Sequence, residues 1–218
     1  MVDKSSSDNT LEIVQNSGVE FEVREWQGFA GTKKYALSRV KNDWVLWVDS
    51  DEVLTVGLQE ELKRLKEGEP EFPVYKVARR AYFLGKWIKH GGWYPGYVAR
   101  LFNKSIVNFN DNDVHEGLDY KGNAGILKND LEHFTDLSIK HYYEKFNNYT
   151  SLAASELEKK GRKFKAIDLL LHPAFFFFKM YILRLGFLDG IQGLILAVFS
   201  TNYVFTKYAK FWELKGKK

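Results

Sequence analysis

Residues 42–55 read NDWVLWVDSDEVLT. An apolar run from Trp44 to Val48 ends abruptly on Asp49, Asp51 and Glu52. A strand that buries Val45, Leu46 and Val48 has no structural use for so much negative charge at its end. In open α/β sheets, the crevice at the carboxyl ends of the strands is where ligands bind. Residues i and i+2 of a turn just past a strand can converge on one cation, or one can hold a metal while the other reaches a ligand hydroxyl. Carboxylate oxygens suit Mg2+ or Mn2+, ions that bridge a few carboxylates to a substrate's phosphates. On these residues alone, the D-x-D pair is weak evidence, because many strand-end turns contain it as solvated turn residues.

Working outward, the neighbouring segments supply an α/β pattern. SSSDNTLEIVQNSG (5–18) predicts a loop and a short helix, with Ser7 or Asp8 as N-cap and Gly18 as the stop. VEFEVRE (19–25) alternates like a strand, and GFAGTKKYALSRVKND (28–43) reads as a glycine loop opening a helix. LQEELKRLKEG (58–68) is an amphipathic helix closed by Gly68. Strand, helix, strand, helix is the order of a parallel sheet. From Pro73 to Leu131, short strand-like runs (VYKVARRAYF, YVARLFN) alternate with glycine-rich turns. A helix is expected from about Thr135–Asp136, with Ile139, Tyr142, Tyr143, Phe146, Tyr149, Leu152, Ala153 and Leu157 along one face.

The chain has 218 residues, 45% of them hydrophobic and 16% aromatic, enough for one substantial domain with an appendage. It has no cysteine, which excludes disulfides and thiolate metal sites and suits a reducing compartment. MVDKSSSDNT lacks the apolar core of a signal peptide. The net charge of +4 is unevenly spread. Residues 159–218 hold twelve Lys and Arg against Asp168, Asp189 and Glu213, leaving 20 of the 32 basic and 25 of the 28 acidic residues to the first 158. A mildly acidic body with a basic, aromatic tail is expected to meet something anionic.

That tail comprises two hydrophobic segments separated by GFLDG (186–190). The first is interrupted by Pro173, Lys179 and Arg184. In the second, residues 190–206 carry no charge but stop short of the ~20 residues a spanning helix wants. These are read as helices lying in a membrane interface, with Lys, Trp and Tyr at the polar boundary. A helical hairpin packed on the body is the alternative. Nucleic acid is not expected as a partner, because the basic residues sit among Phe, Leu and Ile instead of on a polar face.

Several separated motifs together resemble the family 2 glycosyltransferases of the GT-A fold, and within them the bacterial lipopolysaccharide-core sugar transferases. VDKSSSDNT (2–10) is similar to the family's VDSGSTDxT turn, REWQGFAGTKKYAL (24–37) to its W-x-G-[FY]-x-x-x-[KR]-x-x-A segment, and NDWVLWVDSDE (42–52) to its acidic strand end. GGWYPGYVARLF (91–102), VHEGL (114–118) and YYEKFNNYTSLAASEL (142–157) match as well. The resemblance implies a Rossmann-like mixed sheet flanked by helices over residues 1–135, with residues 136–218 as a C-terminal helical, membrane-interfacial extension. It further implies transfer of a sugar from a nucleotide-sugar donor to a cell-surface glycan or glycolipid acceptor, with inversion and with Mg2+ or Mn2+. The expected place is the cytoplasmic face of the bacterial plasma membrane, held through residues 159–218.

Residue by residue, the resemblance assigns Asp49 and Asp51 to the donor ribose and the metal–diphosphate, and Asp3 to the nucleotide. Lys33 matches a basic residue near the donor; a lysine at a helix start is in addition a plausible phosphate cradle on physical grounds. Glu116 falls where the catalytic acid is expected, with His115 as its support, and His133 where a late metal or phosphate ligand is placed. Two positions depart from the pattern: Ser5 replaces a usual glycine, and Gly96 stands where WYPDY would carry an acid. The family also opens with a strand and helix ahead of the first turn, whereas here Val2-Asp3 already stand at it. Two function classes therefore stay open, an active transferase and a catalytically inactive, truncated relative that binds membrane or a partner.

Overall fold

A computed structural model describes residues 2–3, 6, 8–25, 28–109 and 118–216. The elements run β1 (Val2–Asp3), α1 (Thr10–Asn16), β2 (Glu22–Val23), α2 (Gly28–Arg39), β3 (Trp44–Leu46), β4 (Glu52–Leu54), α3 (Val56–Glu67), β5 (Val74–Phe83), β6 (Lys86–Trp87) and β7 (Gly96–Asn103). There follow β8 (Val107–Phe109), β9 (Leu118–Tyr120), β10 (Gly125–Ile126), β11 (Leu131–Asp136), α4 (Ile139–Lys159), α5 (Asp168–Phe177) and α6 (Gly190–Gly216).

The principal sheet is mixed, with the order β3-β7-β5-β11-β4 and with β10 and β6 also pairing β5. The parallel sheet expected from the early strand–helix alternation is thus only partly realised. β1 and β2 pair in parallel as a unit of their own, and β11 and β10 run parallel to β5. The pairs β3–β7, β5–β7 and β4–β11 are antiparallel. The apolar run that begins at Trp44 does not make one strand either. β3 stops at Leu46, the chain turns through Trp47–Asp51, and Glu52 begins β4 on the far side of the sheet.

Local chemistry sets the helix ends. Thr55 caps α3 by accepting a bond from the Leu58 amide (3.3 Å), and Gly68 closes it. α4 starts at Ile139, later than the expected Thr135–Asp136, because β11 runs on to Asp136 and Ser138 caps the helix through the His141 amide (3.1 Å). In α1 the N-cap is Asn9, with no side-chain cap bond, and not Asp8 as expected. Asp8 stands one residue earlier and accepts only from the amide of Thr10, the first helical residue, at 3.1 Å, while Ser7 lies outside the described residues. α2 begins at Gly28, so GFAG is its first turn, and Lys33 sits one turn further in than a helix-start lysine would.

Four apolar clusters hold the layers. Leu58 of α3 packs on Tyr75, Val77, Leu127 and Leu131 under the sheet. Val74, Phe102 and Val107 form a second cluster, which Leu37, Val45 and Trp47 join. Phe83, at the end of β5, meets Ile88, Met180, Leu196 and Ala197, so the sheet and the C-terminal helices share one core. Ala154 of α4 packs with Val204, Tyr208 and Phe211 of α6.

The two hydrophobic C-terminal segments fold as a hairpin. α5 carries the buried Pro173 inside it and continues through a wider π-type stretch (Phe178–Leu183); a 3-10 turn, Gly186–Asp189, then leads into α6. The hairpin is docked by close backbone approach and by one carboxylate. The Gly91 amide donates to the Arg184 carbonyl (2.8 Å), and a Cβ on Gly92 (φ +84°) would overlap the Arg184 guanidinium; within the hairpin itself, a Cβ on Gly193 would strike the Gly186 carbonyl. The buried Asp189 accepts from the amides of Lys89 (3.2 Å) and His90 (2.8 Å), while Lys86 Nζ donates to its carbonyl (2.6 Å).

Candidate active site

The turn between β3 and β4 places three acids differently. Asp49 sits between two cations: Arg100 Nη2 donates to its Oδ2 at 2.7 Å, and Lys33 Nζ lies 3.3 Å from its Oδ1. Trp47 Nε1 donates to the same Oδ1 at 2.9 Å, and its ring carries the Lys33 ammonium 3.9 Å from the centroid. Burial works to raise the Asp49 carboxyl, but Arg100 and Lys33 beside it prevail and hold it below the usual carboxylate range.

Glu52 points inward. Its side chain is 0% exposed, and Arg100 Nη2, whose side chain is 8% exposed, donates to it at 2.5 Å. The Asp49 amide donates to the other Glu52 oxygen at 3.1 Å, which ties the turn together. Glu52 is therefore the buried post on which Arg100 is held, and Arg100 in turn orients Asp49.

Asp51 faces the other way, towards β11. His133 Nε2 lies 3.3 Å from its Oδ2, and the Phe134 amide donates to the Asp51 carbonyl at 2.9 Å. Burial again pushes the Asp51 carboxyl up, but the His133 contact, with Lys145 of α4 nearby, outweighs it and the net shift is down. Asp51 stays partly open to solvent.

Of the expected site residues, the structure thus joins Lys33 to Asp49 and Asp51 to His133, in two neighbouring groups. Lys33 acts as an ion-pair partner within α2, not as a residue at a helix N-terminus. The Asp3 backbone lies in β1, and its side chain is outside the described residues, as are Asp113, His115 and Glu116. Among the described residues there is no group of three or more His, Cys, Asp or Glu that could hold a metal. The donor set that does converge is one carboxylate and one imidazole, Asp51 and His133. Two protein donors suit Mg2+ or Mn2+ when water and substrate phosphates complete the shell, so these residues fit such an ion.

Arg100, Glu52, Trp47 and Arg79 carry the site's geometry and charge, and sequence reasoning assigned none of them a role. A signal was available: Arg79 and Arg100 interrupt the apolar strands VYKVARRAYF and YVARLFN. A charge in a buried strand needs a partner or a purpose.

The sequence profile described as Glycosyl transferase family 2 matches residues 1–134. The chain belongs to glycosyl transferase family 2. Among curated relatives, it is 29% identical over 225 residues to the Rhizobium meliloti lipopolysaccharide core biosynthesis glycosyltransferase LpsC, covering 98% of this chain and 82% of that one. It is 28% identical over 228 residues to an uncharacterized glycosyltransferase of Rickettsia typhi, covering 100% of this chain and 78% of the relative. A solved structure, S. aureus TarS 1-349, aligns with a TM-score of 0.41 and 12% identity, covering 100% of this chain and 81% of that one. The family 2 membership makes the protein a transferase of sugars, with a GT-A-like mixed sheet and flanking helices.

Proposed function

We propose that this family 2 transferase moves a sugar, with inversion, from a nucleotide-sugar donor to a glycan acceptor of the lipopolysaccharide-core class, at the cytoplasmic face of the bacterial plasma membrane. The observation that carries the reading is the pairing of Asp51 with His133 at the sheet end, beside the Asp49–Lys33–Arg100 cluster. Open carboxylate and imidazole donors next to fixed cations suit a metal–diphosphate.

In this reading Asp51 and His133 hold Mg2+ or Mn2+. The ion supplies charge neutralisation for the leaving nucleoside diphosphate. Asp49, fixed by Arg100 and the Trp47 indole, presents its carboxylate to the donor ribose, and Lys33 stands ready to exchange Asp49 for a phosphate oxygen. Cations placed in this way stabilise negative charge where it develops. The acceptor hydroxyl attacks from the face opposite the leaving group and gives its proton to a carboxylate, the role that the family resemblance assigns to Glu116. The acceptor class is supported by the likeness to LpsC over nearly the whole chain.

The C-terminal hairpin provides the membrane contact. Gly186–Gly216 is long and apolar enough to cross a membrane by length and composition. Leu196, Ala197, Val204, Tyr208 and Phe211 are nevertheless buried against the body. Ile191 (63% exposed), Val198, Phe205 and Trp212 (59% exposed) recur every seventh residue on the outer side. Leu170, Leu171, Phe175, Leu183 and Leu188 extend that apolar surface across the hairpin. A helix fixed to the body on one side and apolar on the other lies in the interface plane, which supports a peripheral seat over a spanning one.

Release of nucleoside diphosphate from a panel of nucleotide sugars, with a core oligosaccharide as acceptor, tests the reading. Turnover should require Mn2+ or Mg2+ and vanish in Asp51→Ala, and the product should have the anomeric configuration opposite to the donor's. Metal-independent turnover, or full activity in Asp51→Ala, would overturn the assignment.

A further inference from the structure

Arg79 stands in the middle of β5, between β7 and β11, in register with Gly96 on one side and Leu131 on the other. His133 follows Leu131 by two residues, so Arg79 and His133 project from the same face of the sheet. Glu52, in register with His133, shares that face. Burial lowers the Arg79 pKa, the Arg100 charge adds to that, and Glu52, Asp49 and Asp51 oppose it. Yet Arg79 joins none of the cluster's ion pairs. Its Nε is buried without a hydrogen-bond partner, and so is the Nε of Arg100. Gly96, directly across the ladder, offers no side chain to meet it. A half-buried guanidinium whose Nε is buried and unpartnered costs stability unless an anion completes it.

We propose that Arg79 binds the diphosphate of the sugar-nucleotide donor. This rests on the reading of the strand-end acids as the donor site. The planar fork of arginine fits two phosphate oxygens at once. Glu52 and Asp49 already engage Arg100 through its Nη2, whereas Arg79 joins no ion pair of the cluster and is open to incoming phosphates.

The test is calorimetric titration of nucleoside diphosphates and the matching monophosphates, with Mg2+, into wild type, Arg79→Gln and Arg79→Lys. Hydrogen bonds from charged groups predict a loss of diphosphate affinity of roughly 10–100-fold in Arg79→Gln. Arg79→Lys should fall between the two, and monophosphate binding should change less. Thermal melting of Arg79→Gln should come no lower than that of wild type, since a buried, unpartnered Nε is removed. A merely structural arginine would give the reverse pattern, a lower melting point with unchanged affinity. Diphosphate affinity within about twofold of wild type in both variants, or an effect confined to the acceptor KM, would overturn the assignment. Wild type that binds no nucleoside diphosphate would sink both this inference and the donor-site reading, whereas wild type that binds while Arg79→Gln is unaffected sinks this one alone.

Discussion

His133, on β11, reaches Asp51, in the turn before β4, across 3.3 Å, although 81 residues separate them along the chain. The antiparallel pairing of β4 with β11, in the register His133 to Glu52, creates that proximity. Removing a metal donor should cost at least as much as disturbing its support, roughly 10–100-fold. His133→Ala should therefore raise the Mn2+ concentration for half-maximal activity by that factor and leave saturated turnover less affected. An unchanged metal titration would remove His133 from the donor set.

Arg100→Met should destabilise the fold far more than a surface substitution does. It leaves the Glu52 carboxylate, 0% exposed, without its only cation partner among the described residues, and breaking one side of a buried pair costs about 3–5 kcal/mol. Urea denaturation should show that loss. The double variant Glu52→Leu/Arg100→Met should recover a good part of it, since no charge is then stranded.

The outer stripe of α6 predicts separable binding and stability. Ile191→Lys and Val198→Lys change residues that are already exposed, so the melting point should stay within a few degrees. Sedimentation with anionic liposomes should drop sharply, because apolar burial drives such binding. Added salt should weaken the wild type as well, since Lys159, Lys160, Arg162, Lys163 and Lys165 give about 1 kcal/mol each near an anionic surface.

Glu61 of α3 links α3 to the loop before β11. It accepts from the amides of Lys128 (2.9 Å) and Asn129 (3.0 Å) and from Asn129 Nδ2 (2.8 Å). Burial raises its carboxyl, and those donors pull the net value below the usual one. A lowered folded value means that its stabilisation is fully present above the unfolded pKa and disappears as pH falls through the folded one. Glu61→Gln should therefore cost about 1 kcal/mol at neutral pH, and the gap to wild type should close in acid, below the ordinary carboxylate range. A gap that persists at low pH would mean the loss is packing.

For Glu116, outside the described residues, the expected role rests on the family resemblance. Glu116→Gln keeps the shape but cannot take the acceptor's proton, so turnover should fall about 10²-fold or more while donor affinity holds. Equal turnover would pass the role to another carboxylate, Asp113 first.

How much of this could be read in the sequence depends on whether the deciding interaction is local. α3 was legible from its period and Gly68, and β5 and β7 from apolar runs bounded by glycine turns. The break of the Trp44–Val48 run into β3 and a turn was not, because an apolar run carries no mark of where the ladder leaves it. The transition is set by Arg100 and Glu52, partners 48 residues apart. Asp49, Asp51 and His133 were legible only through the family pattern. Arg79 was missed because its meaning lies in what fails to stand opposite it, and that depends on register. The C-terminal hairpin was read as a choice between packing and membrane; its helices are long enough to have a packed side and an open apolar side at once.

The Asp189 carboxylate accepts from the main-chain amides of residues 89 and 90, atoms that every sequence possesses, with Lys86 Nζ and His90 Nδ1 adding side-chain contacts to the same residue. That makes the seam portable. A chimera that takes residues 160–218 from a relative should assemble on this body when an acid occupies the Asp189 position and glycines stand at positions 186 and 193, where a Cβ would strike backbone, whatever the outward-facing side chains are. The outward surface of the tail is then free to diverge while the joint stays constant, and under the proposed membrane seat lipid preference becomes a trait that can be exchanged without redesigning the catalytic sheet.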